Sequence, residues 1–269
     1  MARQKYPIKH WSYSSLMSYL RNPLAWYKRY VEHVYDTPST PAGIVGRAGH
    51  VALQHFYAGL GKPAAIELGA DYLRGVPDFE VNFGVHTGVR AQAAKRAAML
   101  DEYYQAVGFY LARPPRYKVL GIEVASTVSV PGLLLPIKAI SDLVVESKGN
   151  PGAIDIVDHK FVDSFSPLKE DKPLFVLQAL FNYYTIGDLY KKPVKRFILQ
   201  ECKKRKNKDG KSQMRRYLLS YDELGEDFLV FERLINDATK DISTRTVYLP
   251  NPSDMFEGKN SFEVYRMNL

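Results

Sequence analysis

Two short runs of the chain decide its fold and carry most of its chemistry: Ile137-Lys-Ala-Ile-Ser-Asp142 and Ile154-Asp-Ile-Val-Asp158-His-Lys160. Both are rich in aliphatic and β-branched residues, and a Lys-Gly-Asn-Pro-Gly turn lies between them, so we predict two neighbouring antiparallel strands. Side chains alternate between the faces of a strand, which places Asp158 and Lys160 on one face and His159 on the other.

The acids of these two runs predict a metal site. Adjacent strands lie about 4.8 Å apart, so Asp142 and Asp158 are expected to converge on one ion. Two carboxylates suit a hard cation such as Mg²⁺ or Mn²⁺, and Lys160 beside them can activate a water or stabilise charge on a phosphate. Spacing alone leaves a second interpretation open, in which both acids are solvated strand ends. Asp155 shares its parity with neither Asp158 nor Lys160 and is expected to face solvent or a turn.

The pattern around these strands predicts a mixed α/β (α+β) fold with one sheet flanked by helices. Helix starts are expected at Ser12 or Ser14 and at Pro23, where capping residues and a first-turn proline occur. Further helices are predicted over 45–60, 88–111, 172–189 and 222–242, and strands over 117–130, 133–146, 153–161, 194–203 and 214–221. We predict one domain over 1–269, made of a mainly helical region (1–115), a sheet core (116–221) and a C-terminal helix and tail (222–269).

Composition narrows the class of protein. The 269 residues include 37 Lys and Arg against 29 Asp and Glu, a net charge of +8 that favours a polyanionic partner. A single cysteine excludes an intramolecular disulfide framework, a cysteine-based zinc site and a cysteine-ligated iron–sulfur cluster. No apolar stretch approaches the roughly 20 residues of a membrane span. We therefore expect a cytoplasmic protein with no membrane partner.

A cluster of cations lies in the predicted hairpin between the last two strands. Its members are Lys203, Lys204, Arg205, Lys206, Lys208, Lys211, Arg215 and Arg216. They form a candidate ribbon for DNA phosphates, and a solvated hairpin tip is the alternative interpretation. Tyr183 is a further candidate for DNA contact, since aromatic rings stack on bases. Gly210-Lys-Ser212 resembles the end of a phosphate-binding loop, but Arg205 stands where that motif needs glycine, so an ATPase is excluded.

The order of motifs resembles the RecB-type branch of the PD-(D/E)XK nucleases, which includes phage exonucleases, the AddAB and RecBCD nuclease domains and CRISPR-associated RecB-like exonucleases. The matching motifs, in chain order, are Trp11-Ser-Tyr-Ser-Ser-Leu16, Asn22-Pro-Leu-Ala-Trp-Tyr27, Gly46-Arg-Ala-Gly-His50, Glu123, Asp142, Asp158-His-Lys160 and Gln178, with a weaker echo at Leu249-Pro-Asn-Pro252. The resemblance implies a restriction-endonuclease-like core with a central mixed sheet.

The resemblance also implies a role for each matching residue. It makes Asp142, Asp158 and the carbonyl of His159 metal ligands, and Lys160 the catalytic lysine. It makes His50 a further ligand or a neighbour of one. The remaining two roles are less sharply defined: Glu123 would hold a metal-bound water or brace Lys160, and Gln178 would lie near DNA or that water.

This chain departs from the family pattern at three points. Ala139 replaces a frequent glycine, and Asn182 stands where a tyrosine is common. Several relatives use four cysteines to bind a 4Fe–4S cluster, but here the first position is Asn22 and 250–269 contain no cysteine. The cluster cannot be built, so we expect the N- and C-terminal segments to be joined by packing alone.

Together these features predict a metal-dependent DNA exonuclease that acts in recombination, repair or replication. A phage is one source of such an enzyme. A separate helicase or a single-strand annealing or binding protein would be a partner, because this chain has no motor. Three alternatives stay open: an endonuclease for flaps or branches, a non-catalytic DNA-binding protein on a nuclease fold, and a basic protein that does not act on nucleic acid.

Overall fold

The computed structural model describes residues 6–34, 38–207, 212–256 and 259–260. Helices form over α1 (Tyr13–Arg21), α2 (Pro23–Tyr30), α3 (Pro41–Tyr57), α4 (Lys62–Gly75), α5 (Val89–Ala112), α6 (Leu168–Tyr190) and α7 (Gly225–Thr244). Strands form over β1 (Trp11–Ser12), β2 (Val119–Val128), β3 (Ile137–Glu146), β4 (Ile154–Val162), β5 (Val194–Lys203), β6 (Met214–Ser220), β7 (Met255–Phe256) and β8 (Lys259–Asn260).

A six-stranded mixed sheet is the centre of the fold. β2 runs antiparallel along one side of β3, and β4 pairs antiparallel with its other side over Leu143–Glu146 only. β1 pairs in parallel with β3 at Ile137 and Lys138. β5 runs parallel to β4, and β6 runs antiparallel to β5 at the sheet edge. Because β4 leaves β3 after Leu143, residues 139–142 have no described strand beside them on that side.

Local sequence explains how the first helices begin. Ser12 accepts a hydrogen bond from the Ser15 amide and caps α1, and Asn22 accepts one from the Ala25 amide and caps α2. Pro23 occupies the first turn of α2 and Pro41 that of α3, where the missing amide proton costs no hydrogen bond. The predicted cap Ser12 and the predicted first-turn residue Pro23 therefore stand where α1 and α2 start.

Each face of the sheet packs against different helices. On one face, Ile156 of β4 and Phe197 of β5 pack with Leu180 of α6 and Phe231 of α7 in the largest core cluster. On the other face, Phe161 packs in a second cluster with residues of α3, α4 and α5. We call these the α6 face and the α3 face. This central mixed sheet with helices on both faces confirms the predicted fold class.

The helix α4 was not predicted from the sequence. Its buried residues are small ones such as Ala65, Gly69 and Ala70. A side chain at Gly69 would approach the Ala48 carbonyl and the Tyr103 hydroxyl, so this glycine lets α4 lie directly against α3 and α5. Helices that pack through small residues lack the wide apolar stripe that marks an amphipathic helix.

The two ends of the described chain meet through polar contacts as well as packing. Asn22 donates a hydrogen bond of 3.1 Å to Asp254, and Arg21 forms an ion pair of 2.6 Å with the same carboxylate. Tyr248 stacks on Tyr27, with ring centroids 4.4 Å apart. The expectation that packing alone joins these segments is therefore wrong.

Candidate metal and phosphodiester-cleavage site

The candidate site lies where β4 separates from β3. Ser141 of β3 donates a hydrogen bond to Asn182 of α6, and Val144 packs on the same α6 face. Leu143, which lies between Ser141 and Val144 in the sequence, faces the α3 side. The alternation of side chains therefore slips by one residue at Asp142. This slip turns the Asp142 carboxylate into the gap between the strands, where its Oδ2 accepts a hydrogen bond of 2.7 Å from the His159 amide.

A matching irregularity occurs at Glu123 of β2. Glu123 lies opposite Asp142, between the paired residues Ile122 and Leu143 and the paired residues Val124 and Ser141. Its φ of 48° is in the left-handed region, which a residue with a side chain rarely adopts and which clusters at functional positions. This backbone conformation brings the Glu123 carboxylate toward Asp142.

Three side chains form a group that can hold a metal ion. One ligand atom each from His50, Glu123 and Asp142 lies within 4.8 Å of the other two. His50 comes from α3, and its Nδ1 is 3.4 Å from Oδ2 of Asp142. We call His50, Glu123 and Asp142 the donor group.

Beside the donor group, three residues of the α6 face form a second cluster around Asp158. Lys160 donates a hydrogen bond of 3.1 Å to Oδ1 of Asp158 and lies 2.8 Å from its Oδ2. Gln178 of α6 donates a bond of 2.7 Å to the same Oδ1. The Asp158 side chain is 8% exposed, and its Oδ2 has no hydrogen bond among the described residues. The expected shared face of Asp158 and Lys160 is present in the structure.

The charges of the two clusters act on one another. Burial would lower the pKa of His50, but Asp142 raises it above its ordinary value. Burial would raise the pKa of Asp142, but His50 holds it well below its usual range. In the metal-free protein the two therefore form an ion pair.

The pKa values of the other two carboxyl groups, Asp158 and Glu123, are raised, in contrast to that of Asp142. Burial raises the pKa of Asp158, and the charge of Asp142 adds to this effect. Burial raises the pKa of Glu123 as well, with Asp142 again contributing. Burial would lower the pKa of Lys160, but Asp158 raises it, so the lysine stays protonated at neutral pH. The site thus concentrates negative charge that a cation would neutralise.

His159 points to the opposite face of β4, as alternation predicts. Its ring stacks on Tyr57 with an interplanar angle of 4°, and its Nδ1 lies 3.3 Å from the Tyr110 hydroxyl. Burial lowers the pKa of His159 to about 4, so the ring is neutral. The side chain therefore supports the strand, and its amide orients Asp142.

The glycine before His50 explains how α3 reaches the sheet. A Cβ on Gly49 would lie 2.3 Å from the Phe161 ring, whereas one on Gly46 would meet nothing within 4 Å. Only Gly49 of the Gly46-Arg-Ala-Gly-His50 motif is therefore required by packing. It allows α3 to rest on β4 and so positions His50 beside Asp142.

The structure divides the predicted DNA-binding cations into different surroundings. Lys203 and Arg215 lie over the Phe165 ring at the end of β4. Lys204 is buried and paired with Asp163, and Arg205 is paired with Glu102. Lys206 is exposed, and Arg216 is exposed on the α3 face. Lys208 and Lys211 lie outside the described residues. Lys203, Lys206 and Arg215 are therefore better placed for a phosphate than Lys204 and Arg205.

Two adjacent residues of α6, Asn182 and Tyr183, have different surroundings. Tyr183 packs between α6 and α7 against Tyr221 and Phe228, away from the two clusters. Asn182, at the position where a tyrosine is common, is buried between Ser141 and the Gln178 carbonyl. Asn182 therefore connects β3 to the turn of α6 that carries Gln178.

Tyr13 is a site residue that sequence reasoning did not single out. Its charge, when ionised, would act on Lys160, which places it near the Asp158 cluster. It lies within the Trp11-Ser-Tyr-Ser-Ser-Leu16 motif, so the signal was present but pointed only to a helix start.

The residues present fit a divalent cation. The donor group offers two carboxylates and an imidazole, a set that Mn²⁺ accepts well and that Mg²⁺ accepts through its oxygens. The Oδ2 atom of Asp158 is buried without a hydrogen bond, as expected of an atom that has a further partner. The predicted ligand roles of Asp158 and of the His159 carbonyl stay predictions.

Comparisons with known proteins agree with this geometry. A model of the PD-(D/E)XK nuclease superfamily matches residues 10–254. None of the curated proteins compared with the chain matches it. Among solved structures, the crystal structure of SSO0001 is similar over 84% of this chain and 81% of its own, with 14% identity and a TM-score of 0.30, too low to support any argument. By the match over residues 10–254, this chain belongs to the PD-(D/E)XK nuclease superfamily, whose members use divalent metals to cleave nucleic acids.

Proposed function

We propose that this protein is a RecB-like DNA exonuclease that uses Mn²⁺ or Mg²⁺ to hydrolyse phosphodiester bonds. One observation carries the proposal: the donor group of His50, Glu123 and Asp142 lies directly beside the Lys160–Asp158–Gln178 cluster. A metal-binding group next to a protonated lysine is suited to phosphoryl chemistry, since both charges can act on one phosphate.

Each residue then has a role. A divalent cation in the donor group would polarise the phosphate and lower the pKa of the attacking water. Lys160, held protonated by Asp158, places a positive charge where negative charge grows in the transition state. Gln178 fixes Oδ1 of Asp158, and Oδ2, which has the Lys160 Nζ at 2.8 Å, keeps a lone pair for a cation or for the proton of the water.

The imidazole in the donor group favours Mn²⁺ over Mg²⁺. His50 must be neutral to bind a metal, yet Asp142 raises its pKa in the metal-free protein. Metal binding therefore releases a proton from His50 and becomes tighter as the pH rises.

The finer parts of the proposal rest on the sequence resemblance. These are the exonuclease mode, the setting in recombination, repair or replication, the phage or CRISPR association, the separate helicase or single-strand-binding partner and the cytoplasmic location. No helix in the described part of the chain is long and apolar enough to cross a membrane. We also propose that the chain works as a single nuclease domain. The largest core cluster supports this, because it unites Trp11 and Trp26 with the sheet and with Phe231 of α7.

The test compares linear DNA with covalently closed circular DNA, each with Mn²⁺, Mg²⁺ or EDTA. Linear single- and double-stranded substrates carry a label at the 5′ or the 3′ end. We expect metal-dependent release of nucleotides from an end, no cutting of the circle and no reaction in EDTA. Asp142→Asn should slow cleavage by about 10³-fold, because the metal contributes several kcal/mol. Asp188→Asn is the control, since this exposed carboxylate has Lys191 as its one ion-pair partner among the described residues.

Two results would contradict the exonuclease proposal and identify another function. Equal cutting of the circle would identify an endonuclease. DNA binding without cleavage under any metal would identify a non-catalytic DNA-binding protein.

A further inference from the structure

A second feature lies next to the Asp158 cluster: a cavity of about 670 Å³ between the N-terminal segment, β3 and α6. Its walls include Lys9 and His10 before β1, Lys138 of β3, and Tyr13 and Tyr30 of the first two helices. Gln178 lines the same cavity and also bonds Asp158. The cavity therefore adjoins the Asp158 cluster through Gln178.

The cavity is positively charged. None of the described residues that line it is acidic. Neither Lys9 nor Lys138 has a carboxylate partner within the described ranges. Both line the cavity together with His10. Burial lowers the pKa of His10, and the charges of Lys138 and Lys9 lower it further, so His10 is a neutral hydrogen-bonding group. Two lysines without an anion among the described residues leave the cavity with an unmatched positive potential.

The positions of these groups are fixed by the fold. The Trp11 amide bonds to the Pro136 carbonyl at 2.9 Å, and β1 pairs with β3 so that Ser12 lies beside Lys138. The Trp11 ring is fully buried and bonds to Thr239. This short parallel pairing lies on the same side of β3 as β4, beyond residues 139–142, which are unpaired on that side. It therefore holds Lys9 and His10 near Lys138 without need of a ligand.

The walls also match the rest of a nucleotide. Tyr13 and Tyr30 supply rings, and Ile140 supplies an aliphatic side chain that is 54% exposed at the cavity. Rings next to unpaired cations are typical of sites that follow a nucleic-acid strand, where bases stack and phosphates meet lysines. Inorganic phosphate alone would leave these apolar walls unused.

We infer that this cavity is a binding subsite for the nucleic-acid strand, in which Lys9, His10 and Lys138 hold a phosphate adjacent to the one that is cleaved. The inference rests on the proposed nuclease function, because it places the strand by reference to Lys160 and Asp158. The phosphate is either a diester within the strand or a monoester at its end. The three side chains are binding residues and take no part in bond cleavage.

The first test measures binding in EDTA, so that no cleavage occurs. A fluorescent oligonucleotide, with a terminal phosphate or a terminal hydroxyl, is titrated with wild type and with the double variant Lys9→Gln, Lys138→Gln over a range of salt. We expect affinity to fall about 10-fold or more and the salt slope to drop by about 1 per lysine. Lys191→Gln is the matched control, at the far end of α6, about 20 Å from Gln178 by helix rise. A drop for only the phosphorylated oligonucleotide identifies the monoester, and an equal drop identifies the diester.

A second measurement reports on the cavity itself. Ser14 lines it and is exposed, whereas the single native thiol, Cys202, is buried with its pKa raised to about 12 and should not react. The oligonucleotide in EDTA should protect Ser14→Cys from alkylation and should leave Ala112→Cys unprotected, because Ala112 is an exposed residue at the end of α5 that borders a separate cavity on the α3 face.

The inference fails if the double variant binds with unchanged affinity and salt slope, or if Ser14→Cys stays as reactive with the oligonucleotide as without it. Failure of the proposed function looks different. In that case DNA would still bind and protect Ser14→Cys, but no metal would support cleavage.

Discussion

The two faces of β4 each hold a buried aspartate paired with a cation, three residues apart. On the α3 face, Asp155 is 2% exposed and Arg196 donates to both of its oxygens, at 2.6 to 3.2 Å. Arg196 also donates to the Lys148 carbonyl and the Ser147 hydroxyl, so its Nε and Nη2 are both hydrogen-bonded. On the α6 face, Gln178 and Lys160 donate to Oδ1 of Asp158, and Oδ2 lies 2.8 Å from the Lys160 Nζ but has no hydrogen bond of good geometry among the described residues.

This difference separates a structural ion pair from a reactive one. Asp155 is satisfied, whereas Asp158 is buried, under-bonded and close to a second carboxylate, so its pKa rises. Buried charges that are fully bonded hold a fold together, and those left incomplete are typical of functional sites. The sequence suggested the reverse for Asp155, which was expected to face solvent; that expectation is wrong because Arg196 of β5 lies opposite Asp155 in the parallel register.

The largest expected effect falls on the α6 face. Asp158→Asn and Lys160→Gln should each reduce metal-dependent DNA cleavage by about 10³-fold or more, because each removes a charge that acts on the reacting phosphate. For Asp158→Asn, stability to urea should change by less than about 1 kcal/mol, since Lys160 is 37% exposed and can be solvated alone. Full activity of either variant would show that the substituted residue takes no part in cleavage.

The reciprocal change on the α3 face should affect stability instead. Asp155→Asn leaves Arg196 without its anion and should cost about 3 kcal/mol, at the low end for a buried pair because Arg196 is 28% exposed. Urea unfolding measures this loss. Cleavage per folded molecule should stay within about twofold of wild type, since Asp155 contacts no site residue. Loss of activity at full stability would contradict the division between the two faces.

Low pH should also reduce the folding stability of the protein, through protonation of His159 on the α3 face. Its pKa is about 4 in the folded protein, below the unfolded value of about 6.5. The unfolded chain therefore binds the extra proton between these values, and the stability that neutral His159 contributes is present above pH 6.5 and lost as the pH falls toward 4. From pH 8 to 4.5 the loss is about 2.5 kcal/mol.

His159→Phe should remove this part of the acid sensitivity while keeping a ring to stack on Tyr57. Urea unfolding in EDTA at both pH values measures it for wild type and variant. Parallel pH dependences of the two proteins would show that His159 is not buried in its neutral form.

The smallest effect concerns the contact of α3 with the same face. Gly49→Ala should cost about 2 kcal/mol and weaken metal binding, because the new Cβ meets the Phe161 ring and displaces His50. Gly46→Ala, one turn earlier with open space around it, should instead stabilise the helix by about 0.5–1 kcal/mol. Thermal unfolding and Mn²⁺ titration distinguish the pair. Equal effects would mean that α3 does not rest on β4.

Much of the site was predictable because its signals are local. The strands were predicted from runs of aliphatic residues bounded by turns, and β5 was predicted with the bounds that the structure has. Strand alternation alone placed Asp158 with Lys160 and turned His159 away. The cap of α1, at Ser12 or Ser14, and the first-turn proline of α2 were predicted for the same reason, since a helix start depends on three or four neighbouring residues.

Other features depend on contacts between distant parts of the chain. The slip at Asp142 and the left-handed backbone of Glu123 match one another across two strands, and no local pattern marks either. The partners of Lys204 and Arg205 come from other elements, so a run of cations in the sequence did not reveal which are free. The cavity beside Lys138 depends on the pairing of β1 with β3, which holds the segment of Lys9 and His10 next to it.

By itself, then, the sequence determined the fold class, the strand that carries Asp158 and Lys160, and the candidates for the metal group, because alternation and motif order are properties of adjacent residues. Only the tertiary structure decided that Glu123 joins His50 and Asp142, that Asp155 is structural, and that Lys9, His10 and Lys138 line one cavity. These arrangements follow from which strand pairs with which and where that pairing stops, and strand pairing is a long-range property that spacing along the chain does not encode.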